Sequence, residues 1–315
     1  MDPDGNETIS DVLILVGFSY LNKLQILLFL VLLIIYLATL IGNLLVIMLI
    51  TLTPSLHTPM YFFLVNLSVL EICFTTSMVP QLLAHLLVEE KTISIAACAA
   101  QMYIINIMAL TECCLLAAMA YDRYVAICHP LHYTTIMSGR TCGYLAGVSW
   151  FIGISVQAAV TMLVFSLPFC SSNHIQHFFC DAPLVVKMAC TDTSQIKILG
   201  FILSVLFIMS PFLLILLSYI CIISTILKLP SPEGRYKVFS TCSSHLTVVT
   251  LFYGTAVFTY LVPKSSSSTE SDLLISLLNT IVSPVLNPII YTLRNKEVKG
   301  ALRNIFKKSI FSHRW

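Results

Sequence analysis

The chain has 315 residues, of which 57% are hydrophobic and only 10% are charged, and its mean hydropathy is +0.91. A soluble domain carries about 25% charged residues, so this composition excludes a soluble enzyme and a disordered chain. It also excludes a nucleic-acid-binding protein, which needs a basic patch. Because the net charge is only +2, the placement of the charges is more informative than their sum.

Seven apolar blocks follow one another along the chain. The 47 residues between Lys23 and Glu71 contain no Asp, Glu, Lys or Arg. Pro54 and Pro59 divide this stretch into two spans, since one span needs about 20 residues. Further blocks lie at residues 95–120, 141–165, 198–227, 238–262 and 273–293. Helices satisfy their own backbone hydrogen bonds in lipid, so we predict an all-α integral membrane protein with a seven-transmembrane helix bundle.

The basic residues predict the orientation of the bundle. Twelve of the seventeen Lys and Arg residues lie in segments that share one side of the membrane: 51–59, 122–140, 228–237 and the tail from Arg294. Basic residues favour the cytosolic side, which places the N-terminus outside and the C-terminus in the cytosol. We therefore expect an extracellular N-terminus (1–23), a seven-transmembrane domain (24–294) and a cytoplasmic tail (295–315). Asn6 begins a glycosylation sequon on the outer side.

Three smaller patterns add local predictions. In the tail, apolar residues fall on one side and basic residues on the other, predicting a short amphipathic eighth helix on the inner leaflet. Gly139, Gly143 and Gly147 repeat every four residues, which predicts a close helix contact within the molecule, with dimerisation as the alternative. Four cysteines lie in outer segments and allow three disulfide pairings: Cys98, Cys170, Cys180 and Cys190.

An ordered set of motifs carries a resemblance to a known family. The third block ends in MAYDRYVAICHPLHY (119–133), the second opens with PMYFFL (59–64), and SY (218–219) lies in the fifth. The sixth opens with KVFSTCSSHL (237–246) and the seventh closes with PVLNPIIY (284–291). Over about residues 10–308, this set resembles the signature of the olfactory receptors, a branch of the rhodopsin-like G-protein-coupled receptors. Val238 and Glu71 depart mildly from the usual pattern.

The resemblance implies a function and its partners. The protein would be a receptor and not an enzyme, binding a small neutral volatile odorant within the bundle. It would activate a stimulatory, olfactory-type heterotrimeric G protein and raise cAMP. It would lie among lipids of the plasma membrane, in the cilia of olfactory sensory neurons. The resemblance also implies the disulfides Cys98–Cys180 and Cys170–Cys190.

Three helix faces form the predicted ligand site. Each face has the spacing i, i+3, i+4, i+7 that places side chains together on a helix, and the resemblance implies that these faces and one residue of the seventh span enclose the ligand. None of them is charged, and Ile105 stands where amine receptors carry an aspartate, so a neutral ligand is expected. The residues are Met102, Ile105, Asn106, Ala109, Gly200, Leu203, Ser204, Phe207, Tyr253, Ala256, Val257, Tyr260 and Thr280.

A second set is predicted to couple the ligand to the G protein. Asp122 neutralises Arg123 at rest, and freeing Arg123 offers its donors to a partner; the alternative is a plain stop-transfer charge pair. Prolines within the spans supply pivots for helix movement. The coupling residues are Asp122, Arg123, Tyr124, Tyr219, His245, Asn287, Pro288 and Tyr291.

Glu71 and Glu112 are the two carboxylates predicted deep in the hydrocarbon. At 1.5 Å per residue they lie about 18 Å and about 21 Å from opposite membrane faces, so they reach similar depth. Buried acids are costly without partners. The resemblance suggests a shared sodium ion that favours the resting state, and the alternative is two protonated, hydrogen-bonded acids. No other cofactor is expected.

Other functions remain as alternatives. A non-olfactory rhodopsin-like receptor for a small apolar ligand is the nearest one. A transporter would show paired repeats and a chain of intramembrane ions, and an intramembrane enzyme would need a metal or nucleophile constellation; the sequence has neither pattern.

Overall fold

The computed structural model describes residues 12–18, 24–88, 90–170, 173–228, 230–261, 269–294 and 298–300. The first four spans are α1 (Gln25–Leu52), α2 (Pro59–Leu87), α3 (Ile95–Cys128) and α5 (Gly139–Phe165), with a short α4 (Tyr133–Ile136) before the fourth. The outer loop carries α6 (Ala182–Val186). The fifth span joins α7 (Ser194–Ser204), a π turn (Val205–Met209) and α8 (Ser210–Leu227), and the last spans are α9 (Pro232–Leu261) and α10 (Thr269–Arg294).

In the described part of the chain, every predicted apolar block is helical, and the helix starts follow local chemistry. Pro59 occupies the first turn of the second span, where its missing N–H costs nothing. Ser94 caps the third span by accepting a 3.2 Å hydrogen bond from the Ala97 N–H, and Ser138 caps the fourth by accepting from Thr141. Among the described residues, the first five spans are each long and apolar enough to cross a membrane by length and composition alone.

A small sheet at the outer end was missed by the sequence analysis. Strand β1 (Val12–Leu15) lies between β2 (Thr92–Ser94), which is antiparallel to it, and β3 (His174–Ile175), which is parallel. Gly17 then turns the chain with a φ of +47°, a conformation that glycine adopts without steric cost. We call the three strands, with Phe18 and Phe178, the cap.

Apolar packing divides the bundle into an inner core and two outer clusters. The inner core joins spans one to six around buried residues such as Leu67, Leu115 and Tyr219. One outer cluster packs the sheet and the outer loop against the third span, and the other packs Phe18 and Phe178 against spans one, two, three and seven. The inner end is therefore one continuous body, while the outer end is built in parts.

The glycine repeat in the fourth span makes no close helix contact, contrary to our prediction. A Cβ added at Gly139, Gly143 or Gly147 would meet no described atom within 4 Å. The close approach lies at Gly153, where an added Cβ would collide with the Thr111 hydroxyl and lie 3.1 Å from the Ile107 carbonyl oxygen. A four-residue repeat fixes which residues share a face, but it does not tell a lipid-facing face from a packed one.

Candidate functional site

The third span positions most of the predicted site. It is 34 residues long, so at 1.5 Å per residue it is about 50 Å long and reaches past both faces of the bilayer. Cys98 lies near its outer end and Arg123 near its inner end. Most of its middle is buried, which makes this helix the axis around which the other spans pack.

The outer half of the third span divides its predicted ligand residues between two environments. Met102 is fully buried against the outer loop, and Ile105 is buried against Phe178 and the seventh span. Asn106 and Ala109 are only half-buried. Asn106 lies one turn below Tyr103, whose hydroxyl donates to the Ile154 carbonyl of the fourth span, so both share a face. The structure thus separates Asn106 and Ala109 from Met102 and Ile105.

Asn106 is the polar residue among the four predicted ligand residues of the third span. It makes no hydrogen bond to any residue that the structure describes, so its amide has donors and an acceptor for a ligand. The fifth span approaches this side through its π turn, which packs against the third span. Leu203 and Phe207 of the fifth span are half-buried. The arrangement leaves an uncharged, partly open region beside the outer third span.

Two predicted hydroxyls already donate to their own helices. The Ser204 hydroxyl donates to the Gly200 carbonyl at 2.8 Å, and the Thr280 hydroxyl donates to the Ser276 carbonyl at 2.7 Å. Ser204 and Gly200 are exposed, and Thr280 is half-buried. Each hydroxyl oxygen keeps the ability to accept a hydrogen bond.

The sixth span contributes Tyr253 to the floor of this region. Its ring is buried and lies 4.7 Å, centroid to centroid, from the ring of Phe212 in the fifth span. It therefore belongs to the inner core as well as to the predicted ligand face. The side chains of Ala256, Val257 and Tyr260 lie outside what the structure describes.

Two small cavities lie at the cap and not at the predicted ligand faces. One, of about 20 Å³, is lined by Leu13, Ile95, Phe165, Phe169, Asn173, Val185 and Met188. The other, of about 10 Å³, is lined by residues of the cap and the second span, including Phe18, His85 and Phe178. Each is at most large enough for about one water molecule, so neither accommodates an odorant.

The paired carboxylates come together in a buried polar cluster. Glu71 and Glu112 are 2% and 8% exposed, and their carboxyl groups are close enough to repel each other when both are ionised. The Asn287 side-chain amide donates to Glu71 Oε1, and the Asn43 amide donates to the Pro284 carbonyl at 3.4 Å. The cluster therefore joins spans one, two, three and seven.

Four oxygens of this cluster lack a hydrogen-bond partner among the described residues: Asn43 Oδ1, Glu71 Oε2, Glu112 Oε1 and Asn287 Oδ1. Unsatisfied buried oxygens cost free energy unless a cation, a proton or water meets them. Within the described part of the chain, no three His, Cys, Asp or Glu side chains gather as they do at a transition-metal site. The donor set consists of two carboxylates and two amides, which are ligands that hard cations prefer.

The inner end holds the predicted ion pair and a partner that sequence reasoning missed. Arg123 Nε lies 4.0 Å from Asp122 Oδ2, at the limit of an ion pair. Asp122 also accepts a 2.8 Å hydrogen bond from the Tyr133 hydroxyl of α4, and burial together with the Asp122 carboxylate raises the pKa of Tyr133. Tyr133 ended the motif that carried the resemblance, but nothing in its spacing indicated that α4 would fold back.

A buried histidine links three spans near this end. His245 is fully buried; its Nδ1 accepts a 2.8 Å hydrogen bond from the Tyr219 hydroxyl, and its Nε2–H donates to the Leu116 carbonyl at 3.1 Å. Both ring nitrogens are used by a neutral imidazole of one tautomer. Since Tyr219 is in the fifth span and Leu116 in the third, this node ties the sixth span to both. Tyr124, by contrast, shares a 3.1 Å hydrogen bond with His129 in the adjacent loop.

Both disulfides that the resemblance implied are present. Cys98–Cys180 fixes the outer loop to the third span, and Cys170–Cys190 closes the loop on itself. Beside the first bridge, the Gln101 side chain accepts a 3.0 Å hydrogen bond from the Cys180 N–H and donates to Gln81 at 2.7 Å. The side chain of Tyr291, the sequon at Asn6 and nearly all of the predicted eighth helix lie outside the described residues; residues 298–300 are helical.

Comparison with known proteins decides the family. The olfactory receptor profile matches residues 32–309. The chain belongs to the olfactory receptor family. It is 52% identical to human olfactory receptor 10A4, with 98% of both chains covered, and 53% identical to human olfactory receptor 10A5, with 96% of both chains covered. It is also 49% identical to the dog olfactory receptor-like protein OLF3, with 96% of this chain and 95% of that protein covered.

Family membership settles the class of the protein. This olfactory receptor is a multi-pass membrane protein with the seven-transmembrane bundle of a G-protein-coupled receptor, and it is a receptor and not an enzyme. The transporter and the non-olfactory receptor are therefore no longer alternatives.

Proposed function

We propose that this olfactory receptor binds a small, neutral, mostly apolar odorant beside the outer half of the third span. Binding would activate a stimulatory, olfactory-type heterotrimeric G protein and raise cAMP. The observation that carries this proposal is the half-buried, uncharged region of Asn106, Ala109, Leu203 and Phe207, in which the Asn106 amide has no described partner. An odorant of about ten heavy atoms at roughly 0.6 kcal/mol each gains about 6 kcal/mol, so its Kd is weaker than micromolar.

The lack of charged side chains among the predicted ligand residues supports a neutral ligand. None of the thirteen predicted ligand residues is charged, and Glu112, further along the third span, belongs to the buried cluster with Glu71. A cationic ligand would lose its hydration without gaining an ionic partner. One or two hydrogen bonds, first of all to Asn106, would orient a molecule that is otherwise held by apolar contact.

The His245 node is our proposed link from ligand to G protein. Ligand contact with the sixth span would favour an outward position of its inner end, which breaks the hydrogen bonds of His245 to Tyr219 and Leu116. Arg123, whose Nε has no described hydrogen-bond partner, would then be available to the G protein. The ligand shifts this balance only by its differential affinity for the two positions.

The ligand site is tested with pairs of odorants that differ in one hydrogen-bonding group. Cells expressing the receptor are screened for cAMP with a panel of alcohols and aldehydes and with the matching hydrocarbons. We expect Asn106→Ala to reduce the potency of a hydrogen-bonding odorant about tenfold, since one such bond is worth about 1.4 kcal/mol, and to leave the hydrocarbons unchanged. Tyr103→Phe, one turn away and facing the fourth span, is the matched control. An Asn106→Ala receptor with unchanged potency for every odorant contradicts this site.

The coupling step is tested separately. His245→Ala removes the ties of the sixth span to spans three and five, so basal cAMP should rise in the absence of odorant. Cells that lack the stimulatory Gα subunit should show no cAMP response in either receptor. Basal and stimulated signalling that both stay at the wild-type level in His245→Ala would refute the node.

We also propose that the buried acid cluster holds a sodium ion in the resting receptor. The four unpartnered oxygens on Asn43, Glu71, Glu112 and Asn287 fit such an ion, because two ionised carboxylates at this depth need a compensating cation. Replacing sodium with choline should raise odorant potency in the wild type, and Glu112→Gln should abolish that dependence. Potency that is insensitive to sodium in both receptors would instead favour the protonated acid pair.

Cellular location and self-association complete the proposal. We propose that the receptor acts in the plasma membrane of olfactory cilia, which antibody staining of olfactory sensory neurons would test. The open glycine face of the fourth span is accessible to a second copy of the receptor. Cross-linking of a Gly143→Cys receptor, compared with Gly200→Cys, tests whether two copies meet there.

A further inference from the structure

The cap closes the outer end of the bundle above spans two, three and seven. Phe18 and Phe178 stack with their ring centroids 5.4 Å apart, and both are buried against Leu82, Ile105 and Leu277. The Gln25 side-chain amide donates a 3.3 Å hydrogen bond to the Phe18 carbonyl. On this side, a ligand in the outer aqueous phase meets paired strands and packed aromatic rings.

The outer half of the fifth span presents the opposite situation. In the inner half, Pro211, Ile215, Tyr219, Ile222 and Ile226 recur at steps of three or four residues and are all buried. From Ser194 to Met209, by contrast, no residue is buried. Three of these sixteen residues are half-buried, and they continue the same face of the helix: Ile196, Leu203 and Phe207.

The half-buried face shows that this helix stands away from its described neighbours. Residues of a helix that face lipid are exposed whatever the packing, but residues that face the bundle become buried where the packing is close. A Cβ added at Gly200 would meet no described atom within 4 Å. The π turn at Val205–Met209 marks where the open half changes into the packed half.

We propose that the odorant enters and leaves sideways from the outer leaflet of the membrane, through the gap beside the outer half of the fifth span. This inference rests on the proposed ligand site, since the gap leads to the half-buried face of Asn106. A neutral, mostly apolar molecule concentrates in lipid, so the bilayer acts as its reservoir. The cap then excludes polar molecules that arrive from water.

The route is tested with a thiol at its inner end, independently of any odorant. Asn106→Cys is placed in a receptor whose exposed cysteines Cys73 and Cys221 are replaced by serine. The thiol adds across the double bond of N-ethylmaleimide, a neutral reagent of odorant size that dissolves in the membrane. We expect rapid labelling by this reagent and none by a charged, membrane-impermeant methanethiosulfonate.

Blocking variants identify the path. Gly200→Trp should slow the N-ethylmaleimide reaction at position 106 by at least about fivefold, and Ser204→Trp serves the same purpose if Gly200→Trp does not reach the cell surface. Gly147→Trp is the matched control, because Gly147 has equally open space but lies on the fourth span. The rate in that control should equal that of the unblocked receptor.

Each remaining outcome is decisive. Labelling by the charged reagent means that water reaches Asn106 past the cap, and it overturns the proposal. A rate that neither tryptophan changes, or no labelling by either reagent, also overturns it. If labelling follows the expected pattern while no odorant of the panel raises cAMP, the route stands and the proposed function fails.

Discussion

The two halves of the fifth span show how one helix is packed differently at its two ends. Its inner half is packed into a continuous core and carries Tyr219, which is hydrogen-bonded to a fully buried histidine. Its outer half has no buried residue and carries Ser204, which is exposed. A packed region has few arrangements and transmits displacement, whereas a loosely packed region tolerates guests of varied shape. In the function proposed above, odorant discrimination belongs to the outer half and coupling to the inner half.

The largest expected effect comes from removing the disulfide that anchors the outer loop to the third span. Cys98→Ser frees the outer loop from the third span and should lower stability by about 2–5 kcal/mol, enough to prevent delivery to the cell surface. Surface immunostaining and thermal unfolding in detergent measure this loss. Cys221→Ser, which removes an exposed free cysteine, should behave as wild type. Normal delivery of Cys98→Ser would show that the cap assembles without the bridge.

Overpacking the middle of the bundle should have the next largest effect. Gly153→Ala inserts a methyl group into the Thr111 hydroxyl and should destabilise the receptor by about 1–3 kcal/mol. Gly147→Ala, two turns away with open space around it, should be neutral or slightly stabilising because alanine favours a helix. Thermal unfolding of both variants gives the comparison. Equal stabilities would mean that spans three and four are further apart than the structure shows.

Loosening the inner half should have a smaller effect on stability and a clear one on signalling. Tyr219→Phe removes the donor to His245 Nδ1 and leaves a buried acceptor unpaired, which costs about 1–2 kcal/mol. Basal cAMP should rise because, in the proposed coupling step, this bond stabilises the resting arrangement. Tyr103→Phe loses a bond of 3.5 Å on a half-buried residue and should change neither quantity. Unchanged basal cAMP in Tyr219→Phe would show that this bond of the inner core does not contribute to coupling.

The smallest expected effect lies at the start of the fifth span and depends on pH. The hydroxyl and backbone N–H of Ser194 donate to Asp192, at 2.5 and 2.9 Å, and lower the pKa of this exposed carboxyl. A lowered pKa means that the stabilisation is present above the ordinary value of 3.8 and disappears as the pH falls through the folded value. Wild type and Asp192→Asn should thus differ in the pH dependence of Tm only below about pH 4. A difference that begins at pH 6 would assign the effect to another group.

The spans could be predicted because an apolar block of this length must be helical in lipid to satisfy its own backbone hydrogen bonds. The same logic placed Glu71 and Glu112 at one depth, and the structure leaves both buried and close enough to interact electrostatically. The family motifs supplied the disulfide pairing, which no spacing rule could have provided among three possibilities. These successes rest on patterns that are local or are carried by the family.

The misses concern contacts between distant segments. Val12–Leu15 is short and apolar, and its strand forms only because Thr92–Ser94 and His174–Ile175 are brought beside it. The glycines of the fourth span have the four-residue spacing typical of close helix contacts, but the packed glycine is Gly153, outside the repeat. The hydrogen bond from Tyr133 to Asp122 depends on how α4 folds back. None of these could be read from the periodicity of one segment.

The pairing of β1 with β3 has a consequence for biosynthesis. Ile14 pairs with His174, so β1 waits for a partner that is synthesised 160 positions later. At roughly 5–20 residues per second, that interval lasts about 10–30 s. During it, β1 can pair with β2 but not with β3, so the sheet stays incomplete. The sheet is therefore complete only after the outer loop has been synthesised and lies on the same side of the membrane as β1.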